Sequence, residues 1–156
     1  MTDRRLSVSA TIAVPVLLAG LSGVENATHM RITDYLVLPP LAVVIFLIFR
    51  DPAGEAANGR SIVLLPCLGA IVGQLSAFYF GLTPLGIATA TACVLLLQTI
   101  TDAFMPPALA LCVLALILHA DPVTYVVGVF EATAAIFCVF YVWRAFVYRP
   151  FLEEPR

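Results

Sequence analysis

The chain has 156 residues, of which 62% are hydrophobic and 12% are charged, and its formal net charge at pH 7 is −2. A soluble domain is about half apolar and about a quarter charged, so this composition excludes an ordinary soluble domain. The near-neutral charge gives no indication of a nucleic acid partner. The apolar residues lie in long runs that short polar stretches interrupt. This pattern is typical of an all-α polytopic membrane protein, whose surroundings are the lipid bilayer.

Six apolar segments predict a single transmembrane domain over residues 1–156. In chain order they are Leu6–Val24, Tyr35–Phe49, Ile62–Phe80, Pro84–Thr101, Phe104–Leu118 and Val123–Val147. A helix needs about 20 residues to cross about 30 Å of hydrocarbon, whereas the second and fifth segments have only about fifteen. These two segments must therefore be completed by non-helical residues, or they turn back as re-entrant segments.

The arginines favour six crossings over the re-entrant alternative. With six crossings, Arg31 alone lies on one side of the membrane. The other side, which holds both termini, has Arg4, Arg5, Arg50, Arg60, Arg144, Arg149 and Arg156. Positive residues concentrate in cytoplasmic loops, so the sequence predicts a multi-pass protein of the cell membrane with both termini cytoplasmic. Two re-entrant segments would divide the arginines more evenly.

The two short segments carry similar phrases. TDYLVLPPLAVVIFLIFRDP starts at Thr33 and TDAFMPPALALCVLALILHADP starts at Thr101, and both contain an Asp, a proline pair, an apolar run and a final Asp-Pro. Each phrase is the middle segment of three, so the chain divides into repeat one, about residues 6–80, and repeat two, about residues 84–147. Because each repeat crosses three times, the second is inverted. Inverted repeats with broken central helices recur in transporters.

The proline pairs predict that the second and fifth helices are broken. Proline lacks an N–H and disfavours helix in the preceding residue, but it suits the first helical turn. Tyr35–Leu38 would therefore enter the membrane extended before a half-helix, and the second phrase would do the same from the opposite face. Free N–H groups and the helix dipoles would form an anion site near the midplane. The candidate substrate-binding residues are Pro39, Pro40, Leu41, Ala42, Pro106, Pro107, Ala108 and Leu109.

The alternative for the proline pairs is that each merely starts a helix at the membrane surface. Repetition of the pair at matched positions of two inverted units favours the half-helix interpretation. The two interpretations remain open from the sequence alone.

Glu131 is the carboxylate placed deepest in an apolar segment. Such residues usually face the bundle interior or a water-filled cavity. It lies on a small-residue face of the last segment, with Thr124, Gly128, Ala135 and Cys138, so we expect it to point at other helices. Two roles remain open: a proton-coupling carboxylate, or a protonated glutamate bonded to a neighbouring helix or subunit.

The remaining polar residues give weaker signals. Gln74 and Gln98 are expected to form interhelical hydrogen bonds. Gly69, Gly73, Ala77 and Gly81 recur every fourth residue and predict a close-packing stripe. Asp34 and Asp102 precede the two breaks, where they are candidates to cap a broken helix, to lie at a vestibule or to take part in proton coupling.

No metal-ligand spacing, phosphate loop or nucleophile–base pair occurs, which predicts neither an enzyme nor a cofactor.

Two stretches resemble conserved blocks of the HPP family of integral membrane proteins, some of which are implicated in nitrite transport. LVLPPLAVVIFLIFRDPAGEAANGRSIVLLPCLGAIVG resembles the first block, with matches at Pro39, Ala42, Pro52, Arg60 and Gly73. TDAFMPPALALCVLALI resembles the block that names the family, with matches at Pro106, Pro107, Ala108 and Ala110. The naming histidine is replaced by Met105. The resemblance covers about residues 35–120 and implies a transport scaffold.

The sequence therefore favours a transporter or channel for a small solute, a small anion such as nitrite among them, that forms homo-oligomers. The alternative, from a different functional class, is a non-transporting scaffold or partner subunit with an interface formed by Glu131 and the glycine stripe.

Overall fold

A computed structural model describes residues 11–20, 38–118 and 121–148, and all the regular structure in these ranges is helical. The helices are α1 (Thr11–Gly20), α2 (Leu38–Arg50), α3 (Leu65–Phe80), α4 (Pro84–Thr101), α5 (Pro107–Leu118) and α6 (Pro122–Trp143). A 3₁₀ turn covers Glu55–Ala57, and π-helical turns cover Arg60–Leu64 before α3 and Arg144–Tyr148 after α6. The prediction of an all-α protein is confirmed.

Three helical stretches are long and apolar enough to cross a membrane: Arg60–Phe80, Pro84–Thr101 and Pro122–Phe146, with 21, 18 and 25 residues. Helices α1, α2 and α5 are apolar but shorter. The molecule is thus a multi-pass membrane protein. The prediction that the second and fifth segments form helices too short to span is confirmed, because α2 and α5 have 13 and 12 residues.

Local sequence signals explain how α3, α4 and α6 end or begin. Gly81 closes α3 with a positive φ of 62°, a conformation in which glycine has no steric penalty. Thr83 caps α4 by accepting a hydrogen bond from the Gly86 N–H at 3.1 Å. Asp121 caps α6 by accepting hydrogen bonds from the Thr124 N–H and hydroxyl at 2.9 and 2.8 Å, and these bonds lower the pKa of Asp121.

The tightest helix contact joins α3 to α5 through two glycines. A Cβ on Gly69 would overlap the carbonyl oxygen of Ala108, and a Cβ on Gly73 would overlap that of Cys112. The predicted close packing is therefore confirmed at Gly69 and Gly73, and their partner is a helix of the same chain. It is wrong at Gly81, where a Cβ would meet no atom within 4 Å because the helix ends there. Since the pairing advances along both helices in the same direction, α3 and α5 run parallel. The first turn of α5 thus lies beside the middle of the Arg60–Phe80 span.

The remaining core surrounds this pair. Helix α2 contributes buried aliphatic residues, and α6 contributes two fully buried aromatic side chains, Tyr125 and Phe140. The Tyr125 hydroxyl donates a 2.7 Å hydrogen bond to the Leu111 carbonyl oxygen of α5. Helix α5 is therefore packed against α2, α3 and α4 and joined to α6 by this hydrogen bond.

We predict that Gly73→Ala destabilises the protein by about 1–3 kcal/mol, because the new methyl group overpacks the α3–α5 contact. Thermal unfolding in detergent micelles measures the effect. Gly20→Ala is the matched control, since a Cβ at Gly20 meets no atom within 4 Å. Equal unfolding temperatures for the two variants would contradict the close packing of α3 on α5.

Candidate functional site

The chain stops being helical between α4 and α5. Helix α4 ends at Thr101, Asp102 adopts a left-handed conformation with φ 47°, and residues 103–105 are in no helix. Helix α5 starts only at Pro107. This follows from the proline pair, because proline disfavours helix in the residue before it and suits a first turn. The prediction that a helix starts at the second proline pair is confirmed.

Gln98 holds the non-helical segment in place. Its Nε2 donates a 3.1 Å hydrogen bond to the Met105 carbonyl oxygen, and its Oε1 accepts a longer one, 3.4 Å, from the Met105 N–H. Both residues are buried. A side-chain amide therefore satisfies backbone groups that helix hydrogen bonds would otherwise satisfy. Gln98 was expected to join two helices, and it instead binds the backbone between α4 and α5.

The first N–H groups of α5 already have partners. The Ala108 N–H donates to the Met105 carbonyl and the Leu109 N–H donates to the Pro106 carbonyl, both at 3.0 Å. Pro106 and Pro107 have no N–H to offer. The expectation of free N–H groups at this break is therefore wrong at Ala108 and Leu109. The physical reason is that the carbonyls just before the helix turn back on its first residues.

The candidate substrate-binding residues at the two proline pairs differ in burial. Pro40, Leu41, Pro107 and Ala108 are buried. Ala42, Pro106 and Leu109 are half-buried, and Pro39 is exposed. Helix α2 starts at Leu38, close to the predicted start at Pro39 or Pro40, and α2 contacts α5. The two proline pairs thus begin neighbouring helices, while Tyr35–Val37 and Asp34 lie outside the described residues.

Gln74 has a buried donor without a partner. Five polar side chains are buried in the described residues: Ser61, Gln74, Ser76, Gln98 and Thr133. Four of them make hydrogen bonds to backbone oxygens. The fifth, Gln74, is 8% exposed, and its Nε2 has no hydrogen-bond partner among the described groups. An unmade buried hydrogen bond costs about 1–3 kcal/mol, so this amide is suited to bind an acceptor from outside the chain.

Glu131 lies on the outer part of α6. The face that packs inside the chain carries Tyr125, Val129, Ala132, Thr133, Ile136 and Phe140. On the small-residue face, Gly128 is buried and Glu131 is half-buried. Thr124, Ala135 and Cys138 are exposed, so most of this face is not covered by the other described helices of the chain. The larger side chains of α6 fill the core instead, because they bury more apolar area.

Asp102 closes α4 and is exposed. Its backbone N–H donates to the Thr99 carbonyl at 3.4 Å, so it caps the end of α4 and not the start of α5. Sequence reasoning placed Asp102 correctly at the break and could not choose between the two helix ends.

The end of α6 lies beside the turn between α2 and α3, and this brings the described arginines to one end of the molecule. Arg50 and Arg60 flank the turn between α2 and α3, and residues of this turn line one pocket with Arg144. The three described arginines therefore lie at the same end of the molecule, as the six-crossing topology requires.

Comparison with known families decides the classification. The family model described as HPP, transmembrane region, matches residues 2–154. The chain belongs to this HPP family. No curated protein and no solved structure matches it. Met105, directly before the second proline pair, is fully buried, and its backbone is hydrogen-bonded to the Gln98 side chain.

We predict that Gln98→Leu lowers the free energy of unfolding by about 1–3 kcal/mol, because the buried Met105 N–H loses its partner and the Met105 carbonyl keeps only its bond from the Ala108 N–H. Thr99→Val is the control in the same turn, since the Thr99 hydroxyl is exposed and bonds within its own helix. Thermal unfolding in detergent compares the two variants. A Gln98→Leu protein as stable as Thr99→Val would contradict the role of Gln98 at the break.

Proposed function

We propose that this HPP protein is a transporter or channel for a small solute, with a small anion such as nitrite as the first candidate. In this proposal the chain has six helical segments in two inverted three-helix repeats, about residues 6–80 and 84–147. Both termini are cytoplasmic. The solute passes the broken second and fifth helices near the bilayer midplane. Two observations support the proposal. Helix α5 starts beside the middle of α3, and Arg50, Arg60 and Arg144 lie at the same end of the molecule.

The observation that carries the proposal is the unpartnered Nε2 of Gln74. Gln74 follows Gly73, whose position packs on α5, in the middle part of a membrane span. A buried donor in this setting suits an anion or another hydrogen-bond acceptor. Because the Ala108 and Leu109 N–H groups are already used, the second break would contribute mainly the positive end of the α5 dipole.

We predict that Gln74→Leu lowers anion flux at least tenfold. A hydrogen bond to a charged group is worth about 1.5–3 kcal/mol, and about 1.4 kcal/mol corresponds to a factor of ten. Nitrite, nitrate, formate and chloride uptake into proteoliposomes, with and without a proton gradient, measures the effect and the selectivity.

Thr133→Val is the control for this variant, because the Thr133 hydroxyl is buried like the Gln74 amide but has partners, the Val129 carbonyl oxygen and the Cys67 side chain. Both variants must retain the unfolding temperature of the parent within a few degrees. Parental flux in a folded Gln74→Leu protein would refute a role for Gln74 in the solute path. Absence of flux for every solute, together with stable association with another membrane protein, would refute transport.

The second candidate function is a non-transporting scaffold or partner subunit, and the exposed small-residue face of α6 favours it. A carboxyl facing hydrocarbon is costly, and small neighbours permit close helix contact. In this proposal Glu131 meets a second copy of the chain in a homo-oligomer. Gly69 and Gly73 are not available for such an interface, because they pack against α5.

We predict that Glu131→Gln separates the two roles of this carboxyl. If Glu131 couples solute movement to protons, the substitution abolishes the dependence of flux on the proton gradient and leaves the oligomer intact. If it forms a subunit contact alone, proton dependence stays unchanged. Flux measurements and crosslinking of exposed Cys138 between copies read out the two effects, with Cys138→Ser as the crosslinking control.

A further inference from the structure

A pocket of about 530 Å³ lies at the arginine-rich end of the molecule, away from the broken helix. One wall is the turn between α2 and α3, which includes Gly54, Glu55 and Asn58, and the other is the end of α6, with Phe137, Tyr141 and Arg144. The Ser61 hydroxyl donates a 2.8 Å hydrogen bond to the Glu55 carbonyl oxygen and fixes the turn. The pocket is therefore built by two ordered elements.

The pocket lies where the chain leaves the membrane. The Arg60–Phe80 span begins directly after the turn, and the Pro122–Phe146 span ends just beyond Arg144. Phe137 and Tyr141 form an aromatic pair with ring centroids 5.6 Å apart, and such rings are enriched at the membrane–water boundary. A molecule in this pocket would thus contact both water and the edge of the bilayer.

The charges of the pocket are of opposite sign. Arg144 contributes a guanidinium and Glu55 a carboxylate, and these two side chains form no ion pair with each other in the described structure. A guanidinium suits a phosphate group, and a carboxylate beside a tyrosine ring suits an ammonium group. The volume lies within the usual range of about 300–1,000 Å³ for small-molecule sites, well above the size of a single phosphate ion.

We propose that this pocket binds the head group of a phospholipid with a primary amine, such as phosphatidylethanolamine, from the adjacent leaflet. The phosphate lies against Arg144, and the ammonium lies against Glu55 and the Tyr141 ring. The acyl chains leave the pocket along the same side of α6 towards the bilayer interior, where Phe130 and Val127 are exposed. This site is independent of the proposed solute path.

Native mass spectrometry of the full chain tests the proposal. The protein is released from nanodiscs that hold equal amounts of phosphatidylethanolamine, phosphatidylglycerol and phosphatidylcholine. We expect retained phosphatidylethanolamine to exceed each of the other lipids at least fivefold. Free phosphoethanolamine and inorganic phosphate are added in separate arms. Competition by phosphoethanolamine, with little effect of phosphate, is the expected result.

Substitutions test the separate roles of the Arg144 and Glu55 charges in lipid binding. Arg144→Gln should lower retention of all phospholipids at this site, and Glu55→Gln should remove the preference for phosphatidylethanolamine over phosphatidylglycerol. Arg50→Gln is the control, because Arg50 lies at the same end over the Phe46 ring and does not line the pocket. Glu55→Arg is a second variant, expected to reverse the preference toward phosphatidylglycerol. Only variants that keep the unfolding temperature of the parent protein are compared.

Three outcomes would overturn the proposal. The first is equal retention of the three lipids by the parent protein. The second is an Arg144→Gln variant that retains lipid as well as Arg50→Gln does. The third is full competition by inorganic phosphate, which would identify a simple anion site.

Discussion

The hydrogen bonds between the Gln98 amide and the Met105 backbone stabilise the buried non-helical segment between α4 and α5, and the position of α5 depends on this segment. Inside hydrocarbon every backbone N–H and carbonyl needs a partner from the protein. A chain that stops being helical there must obtain these partners from side chains or from neighbouring backbone. Gln98 supplies both a donor and an acceptor to one residue, at 3.1 and 3.4 Å. The break is thereby compatible with a buried position.

The break sets the position of α5, and the glycines of α3 then fix it. With carbonyl oxygens of α5 against Gly69 and Gly73, the two helices approach as closely as backbone allows. This contact places Ala108 beside the middle of the Arg60–Phe80 span. The short length of α5 is therefore a consequence of where it starts, and the buried Gln74 amide lies on the neighbouring turn of α3.

Much of this arrangement could be predicted from the sequence. Apolar runs indicated the helices, and the proline pair before Ala108 located the break, because proline has a specific effect on the backbone. The hydrogen bonds at the break could not be predicted. Nothing in local sequence distinguishes a glutamine that binds backbone, as Gln98 does, from one with an unpartnered amide, as Gln74 has. That difference depends on tertiary placement.

The face of α6 was also beyond sequence reasoning. Glu131 and its small neighbours form a pattern typical of helix contacts, yet bulky residues such as Tyr125 and Phe140 fill the core on the opposite side. A small-residue pattern predicts close approach but not which partner approaches. The partner can be a neighbouring helix of the same chain or a helix of a second subunit. Only the structure of the assembled protein distinguishes these two partners.

The position of α5 can be measured directly with spin labels in nanodiscs. Single cysteines at Ala110 and Ile71, both exposed, are introduced after replacement of the four native cysteines. Their depth is read from relaxation by oxygen and by a water-soluble nickel complex. Because α5 lies parallel to α3 with Ala108 against Gly69, both labels should report the same depth, near the bilayer centre. A label at Ala110 close to the surface, and several ångströms shallower than the label at Ile71, would contradict the account.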